Sequence, residues 1–323
     1  MPLQKALALV GVAKQTSLGT PIANPQFSHG IISGGVITVD MEQEQSPMTS
    51  AYRVSANVDR TKVEAGFDFT TRGFPKALGL WLYAALGAKS VTGAGPYTHV
   101  LTPAGSLPYL TVWGSLDGIL VAVQDCVVDE IEISWDENEP PEVKVSGLGG
   151  LIDFAPTYVP VVDESLDPYL LTAGGTFKLD IDSATAVTAP IKGGSYKVAN
   201  GVESIMLSGS IIPNLAYPGR QEFETSATMV PTTDLGDWRA AVTGSPTGTT
   251  ASGAPVYGSV EYTFPVGTSS LKLASTRVPF AIDFPEGDAG GGAVELEATG
   301  MPVMPSGGGA AVTATLINSQ ATY

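Results

Sequence analysis

Reactive side chains are scarce in this 323-residue sequence, and each shortage closes off a kind of chemistry. A single cysteine, Cys126, rules out an intrachain disulfide. Lying between Val123 and Val127 in a predicted strand, it reads as a small buried hydrophobe. The two histidines, His29 and His99, fall in different predicted elements and in no metal-binding spacing. Each reads as a surface or core side chain satisfied by hydrogen bonds. No Gly-x-Ser-x-Gly elbow, Walker loop or dinucleotide fingerprint occurs. Asp180-x-Asp182 and Glu286-Gly287-Asp288 lack the spacing of a calcium loop and its terminal Glu. A carboxylate pair for glycoside hydrolysis converges only in a fold, and the sparse aromatics do not outline a sugar cleft. The expectation is a chain that is not an enzyme and holds no cofactor or metal.

Charge is also sparse, at 15% of residues against the usual fraction of about 25%. Bases are the scarcer sign, with 16 Lys+Arg against 32 Asp+Glu and a net charge of -16. Twelve of the acids lie between Asp125 and Asp167, where Lys144 is the only base. Phosphate-backbone affinity comes from Lys and Arg, so ordinary nucleic-acid binding is disfavoured. The acidity then serves solubility, or it keeps a surface close to a polyanion without adhesion. Long apolar runs are missing as well: Leu78 to Ala88 falls far short of the roughly 20 residues a membrane helix needs. Residues 6–13 superficially resemble a signal core, but Lys14 and a polar turn follow without a convincing cleavage site. No Asn-x-Ser/Thr sequon occurs. A soluble chain made in the cytoplasm, with no membrane partner, is expected.

What the chain does contain is turn signals and a repeat. Gly (38) and Pro (24) are spread throughout, and 43% of residues are hydrophobic, as in a folded, β-rich protein whose uncharged surface is hidden by partners. Leu78-Gly79-Leu80-Trp81 followed by Ala84-Ala85-Leu86-Gly87 returns as Leu235-Gly236-Asp237-Trp238 followed by Ala240-Ala241-Val242-Thr243-Gly244. Ile131 to Val143 has the same separation as Ile282 to Val294. A period of roughly 150 residues is the size of a domain, not of a solenoid unit.

Alternation marks strands at Val36–Glu42, Tyr52–Asp59, Lys62–Thr71, Tyr97–Leu101, Tyr109–Trp113, Ile119–Val123, Val127–Trp135 and Glu142–Ser146. A helix is predicted over 75–86, with Pro75 in the first turn, Leu78, Trp81, Leu82 and Ala85 on one face, and Gly87 as the stop. Its counterpart begins near Thr233 or Asp234 and presents Leu235, Trp238 and Val242. Trp81 and Trp238 are expected to anchor these helices on a sheet. The expected organisation is an N-terminal arm over 1–30, a sandwich domain over 31–155, a linker over 156–175, a second sandwich over 176–304, and a C-terminal strand or arm over 305–323.

The order of features resembles the major tail tube protein family of long-tailed, non-contractile bacteriophages. The resemblance rests on Gly11-Val12-Ala13-Lys14-Gln15-Thr16-Ser17-Leu18-Gly19-Thr20-Pro21, then Gly66-Phe67-Asp68-Phe69 running to Phe74-Pro75-Lys76-Ala77-Leu78-Gly79-Leu80-Trp81. Tyr97-Thr98-His99-Val100-Leu101 and Ser106-Leu107-Pro108-Tyr109-Leu110 follow. It covers residues 6–150 well and the second unit more loosely. The resemblance implies mostly-β, tandem tail-tube-like β-sandwich domains, each with a flanking α-helix, assembling into a ring with an inner β-barrel. It implies a virion tail component, assembled in the host cytoplasm, whose stacked rings pass DNA during ejection.

The duplication departs from single-domain members of that family. If both units line the tube, three chains imitate six-fold symmetry; if the second decorates the outside, a hexamer is needed. The implied partners are further copies, other tail proteins, and the tape measure protein and duplex DNA in the lumen, without specific binding. Acids on polar strand faces are the candidates for a lining that repels phosphate: Asp40, Glu42, Asp68, Glu130, Glu132 and Glu142, with Glu295 and Glu297 in the second unit. An outer, solvated face accounts for them equally well. The loop over 43–51 is a candidate for ring-to-ring stacking. Other readings are a different virion ring, such as a tail terminator or baseplate hub, or a secreted β-sandwich adhesin or carbohydrate-binding protein.

Overall fold

The computed structural model describes residues 8–45, 58–137, 139–158, 168–181, 191–208, 210–213, 215–230, 236–245, 247–284 and 294–323. The first half contains β1 (Ala8–Lys14), β2 (Phe27–Gly30), β3 (Ser33–Gln45), β4 (Val58–Arg72) and helix α1 (Pro75–Leu86). It continues with β5 (Gly87–Thr92), β6 (Tyr97–Pro103), β7 (Leu110–Leu116), β8 (Ile119–Trp135), β9 (Glu142–Gly149) and β10 (Ile152–Asp153). The second half contains β11 (Thr176–Asp180), β12 (Ile191–Ala199), β13 (Glu203–Ile205), β14 (Leu215–Tyr217), β15 (Glu222–Met229) and helix α2 (Gly236–Thr243). It ends with β16 (Tyr257–Val266), β17 (Ser269–Ile282), β18 (Leu296–Gly300) and β19 (Thr313–Asn318). The chain is mostly β, as expected, with 56% of the described residues in strands and 7% in helices.

One sheet runs through both halves. Its order is β3-β4-β9-β8-β12-β15-β18-β17, and every neighbouring pair is antiparallel. Four strands come from each half, and the connectivity repeats. In each half the first two strands pair, a helix follows the second, and a later hairpin folds back so that its second strand joins that second strand. We call this the inner sheet. A second layer packs on one of its faces. One part of that layer, from the first half alone, has the order β2-β1-β7-β8-β10; the other joins β5 and β6 of the first half to strands of the second in the order β5-β6-β19-β17-β16-β11.

Strands β8 and β17 belong to both layers. The sequence predicts two strands, Ile119–Val123 and Val127–Trp135, where the structure has one. Asp125 takes a left-handed φ of 56°, which aspartate tolerates better than most side chains, and its carboxylate accepts the Gly19 amide at 2.7 Å. The bend carries the strand from one layer to the other without ending it. The predicted pair Tyr52–Asp59 and Lys62–Thr71 is likewise the single strand β4 over its described part. The predicted break at residues 60 and 61 does not occur: here the β3–β4 ribbon extends beyond the core with both faces in solvent. The segment Ala8–Lys14, read as part of an arm, is built into the outer layer with Val10 and Val12 buried.

The core fills the space between layers. Trp135 of the inner sheet meets Tyr262 and Phe264 of β16 edge-on at 4.8 and 5.1 Å, and Tyr196 shares a 2.6 Å hydrogen bond with Ser275. Helix α1 spans 75–86 as predicted, with Pro75 in its first turn and Gly87 at φ 96° closing it. It is apolar on nearly every side, and ten of its twelve residues are buried, as a helix at the centre of a fold must be. Trp81 lies 5.7 and 5.4 Å from Phe67 and Phe69 of β4. Side chains of the second half satisfy one of its C-terminal carbonyls: Asn200 and Gln221 both donate to Ala85 O, at 3.1 and 2.9 Å. Gly79 leaves room for Tyr323, whose hydroxyl sits 2.1 Å from where a Cβ would stand.

Helix α2 is peripheral. Trp238 is half-buried and meets Phe284 edge-on at 4.9 Å, while Val242 is exposed. Thr233, Asp234 and Leu235 lie outside the described residues, as do 46–51 of the stacking-loop candidate. The strand β19 pairs with β17 on one side and β6 on the other, so the predicted C-terminal strand joins the two halves.

Candidate functional site: the polar face of the inner sheet

Side chains alternate across a strand, and the register of the inner sheet puts its polar positions on the face turned away from the core. Asp40 stands opposite Glu64, and Glu42 opposite Lys62. Asp68 stands opposite Ser146, and Glu142 opposite Arg72. Glu130 and Glu132 stand opposite Ala199 and Lys197 of the second half, and Glu297 opposite Thr228. Glu295 precedes β18 and reaches Lys192 at 2.9 Å. The eight predicted acids therefore share one face.

Sequence reasoning missed three more carboxylates there, Glu64, Glu222 and Glu224, and the bases between them. The alternation Glu222-Phe223-Glu224-Thr225-Ser226-Ala227 was the available signal. The face is not uniformly acidic. Lys62 pairs with Glu64 at 2.8 Å and approaches Glu42 at 4.0 Å; Arg72 meets Glu142 at 3.4 Å. Glu130 is held from both sides, by Lys197 at 2.7 Å and Lys144 at 3.7 Å, which ties the halves together across the sheet. Burial opposes ionisation of Glu64, yet hydrogen bonds from Lys62 and Ser204 hold its carboxyl below the usual range. The hydrogen bond to Glu130 raises the Lys197 ammonium. Asp40, Asp68, Glu132 and Glu297 have no ion pair among the described residues, and they leave the face with an excess of negative charge.

The histidines lie elsewhere. His29 is buried beneath α1, accepting from Trp81 Nε1 at 3.2 Å while its Nδ1 faces Gly30 O at 3.1 Å. Burial pulls its pKa down to about 4, against the opposing pull of the Gly30 carbonyl. His99 is buried, with Gln320 O 2.8 Å from its Nε2. Cys126 is buried and its thiol pKa raised by that burial. Among the described residues no group of three or more His, Cys, Asp or Glu is placed to hold a metal, and no helix is long and apolar enough to cross a membrane.

This is an antiparallel β protein whose predicted acids gather on a charged sheet face rather than in a cleft. A family model described as phage tail tube protein matches residues 5–316, and the chain belongs to the phage tail tube protein family. It is a structural protein of the virion tail, in a family that assembles into a tube with other tail proteins and is generally non-enzymatic. No curated protein matches the sequence.

Proposed function

We propose that the chain forms stacked rings of a siphophage tail tube, with the polar face of the inner sheet lining the channel through which DNA leaves. The observation that carries this reading is the continuous eight-stranded antiparallel sheet, covered by core on one face and bearing carboxylates on the other. Closing such sheets into a barrel removes their open edges. Three chains of eight strands give twenty-four; at a spacing of about 4.8 Å and a tilt near 40°, that barrel is about 45–50 Å across its backbone. Six chains in one barrel would give about 90–100 Å on the same arithmetic. Because the second half continues the sheet of the first, the width supports a trimer with pseudo-six-fold symmetry over a hexamer. The two halves then act as tandem tube domains, over about 31–155 and 176–304.

The mechanism is electrostatic. The unpaired acids repel phosphates over a Debye length of about 8 Å, so the duplex and the tape measure protein pass without being held. The interleaved lysines are occupied by carboxylates and are not free to bind phosphate. Assembly takes place in the host cytoplasm. Negative-stain microscopy of the purified protein tests the reading: long tubes are expected, whereas lone rings point to a terminator or hub and dispersed monomers refute assembly altogether.

A further inference from the structure

The junction between the two halves is a template for a contact that, among the described residues, the chain does not make with itself. At that junction β8 and β12 pair antiparallel, with Ile131 opposite Val198, Glu132 opposite Lys197 and Ile133 opposite Tyr196. The four apolar residues are buried, and Leu82 and Leu86 of α1 close over them around a small void.

The two ends of the inner sheet carry the unjoined halves of a second such junction. Strand β3 is to the first half what β12 is to the second: Ile32-x-Gly34-Gly35-x-x-x-Val39 matches Ile191-x-Gly193-Gly194-x-x-x-Val198. Strand β17, together with the two residues just past its end, likewise stands for β8, with Ile282-Asp283-Phe284 matching Ile131-Glu132-Ile133. Among the described residues β3 pairs with β4 alone, and β17 over Phe280–Ile282 pairs with β18 alone. Each therefore has an open edge. At these edges apolar side chains are exposed where their internal counterparts are not. Val39 is 38% exposed against 3% for Val198, and Phe284 is 62% exposed against 2% for Ile133. Trp238 of α2, the counterpart of Trp81, already stands against Phe284. A sheet with an even number of antiparallel strands ends on strands of opposite direction, so a second copy continues the order without a break.

We propose that these edges dock a second copy of this chain: β17 of one chain pairs antiparallel with β3 of the next, in the register of the internal junction and beside α2. That places Ile282 opposite Val39 of the partner subunit, and Phe284 opposite Ile37 of the partner subunit. Slipping by two residues would set Asp283 against Asp40 of the partner subunit, a like-charge pair that disfavours the alternative. The contact is head-to-tail, as a closing rotation requires, and it rests on the ring reading given above.

Paired cysteines test the register in the full chain. The double variants Thr38→Cys/Asp283→Cys and Val39→Cys/Ile282→Cys place both members at opposed positions, and one of the two pairs falls at the closely spaced kind of site that suits a disulfide. On oxidation, at least one should give a covalent ladder ending near three times the 33.3 kDa chain. The out-of-register control Glu42→Cys/Asp283→Cys should remain monomeric on a denaturing gel. Phe284→Asp should shift sedimentation from rings to monomers while leaving the circular dichroism unchanged. Wild-type rings or tubes without any in-register cross-link, or cross-linking by the control alone, would overturn the register and leave the ring reading standing. A monomeric wild-type chain would overturn both.

Discussion

Acid should weaken this fold through one buried imidazole. His29 is fully enclosed, its Nε2 accepts from Trp81, and burial lowers its pKa from 6.5 to about 4. The native state therefore resists a proton that the unfolded chain accepts from about pH 6.5 downward. Above that pH the neutral ring contributes its full stability; as pH falls through the window from 6.5 to 4, the contribution is lost. The whole shift corresponds to about 3.4 kcal/mol, of which about 2 kcal/mol is gone by pH 5. Urea unfolding of the dispersed chain at pH 7 and pH 5, followed by tryptophan fluorescence, measures it directly. His29→Gln removes the titration while keeping a polar side chain, so the variant starts less stable but loses about 2 kcal/mol less between those pH values. Carboxylates held low, such as Glu64 and Glu261, add an acid-sensitive component common to both proteins. Equal pH slopes in wild type and variant, or an imidazole titrating near 6.5 by NMR, would refute the reasoning.

Other outcomes follow from the packing and the charged face. Gly79→Ala drives a methyl into Tyr323 and should cost about 1–3 kcal/mol in the same unfolding assay, with Tyr323→Ala in the same chain relieving the clash. Trp81→Ala should cost about 3–5 kcal/mol because it empties a buried site between Phe67 and Phe69; Trp238→Ala, at the periphery, should cost under about 2 kcal/mol. Replacing Asp40, Asp68, Glu132 and Glu297 together by Lys should make assembled tubes retain labelled duplex DNA at low salt and release it as salt rises. Tubes so altered that still ignore DNA would show that this face does not meet it.

Much of this arrangement is written locally in the chain. Strict alternation in Ile131-Glu132-Ile133 puts acids and hydrophobes on opposite faces, and the run from Pro75 to Gly87 fixes α1 because both its stop and its start are encoded nearby. The continuity of β8 is not local: Asp125 looks like a turn residue until the contact from Gly19 shows it as a bend within a strand. The joining of the halves is further from view. The β8–β12 pairing links residues from Gly194 and Trp135 to Ala199 and Glu130, about sixty to seventy positions apart, and no periodicity within either strand specifies its neighbour. The same holds for the face. Alternation sorts the acids within each strand, but only the cross-strand register brings Asp40, Glu132 and Glu297 to one surface, and only side-chain geometry shows that Lys144 and Lys197 both go to Glu130.

The tube is defined by which surface encloses the channel and by how many chains do so. A cryo-electron microscopy reconstruction of the assembled tube decides both: three-fold symmetry, with inner-sheet strands of both halves lining the bore and Glu132 and Glu297 pointing inward, is the predicted result. A bore lined by the outer layer or by lysine and arginine, or a six-chain ring with the second half outside the wall, would contradict the account.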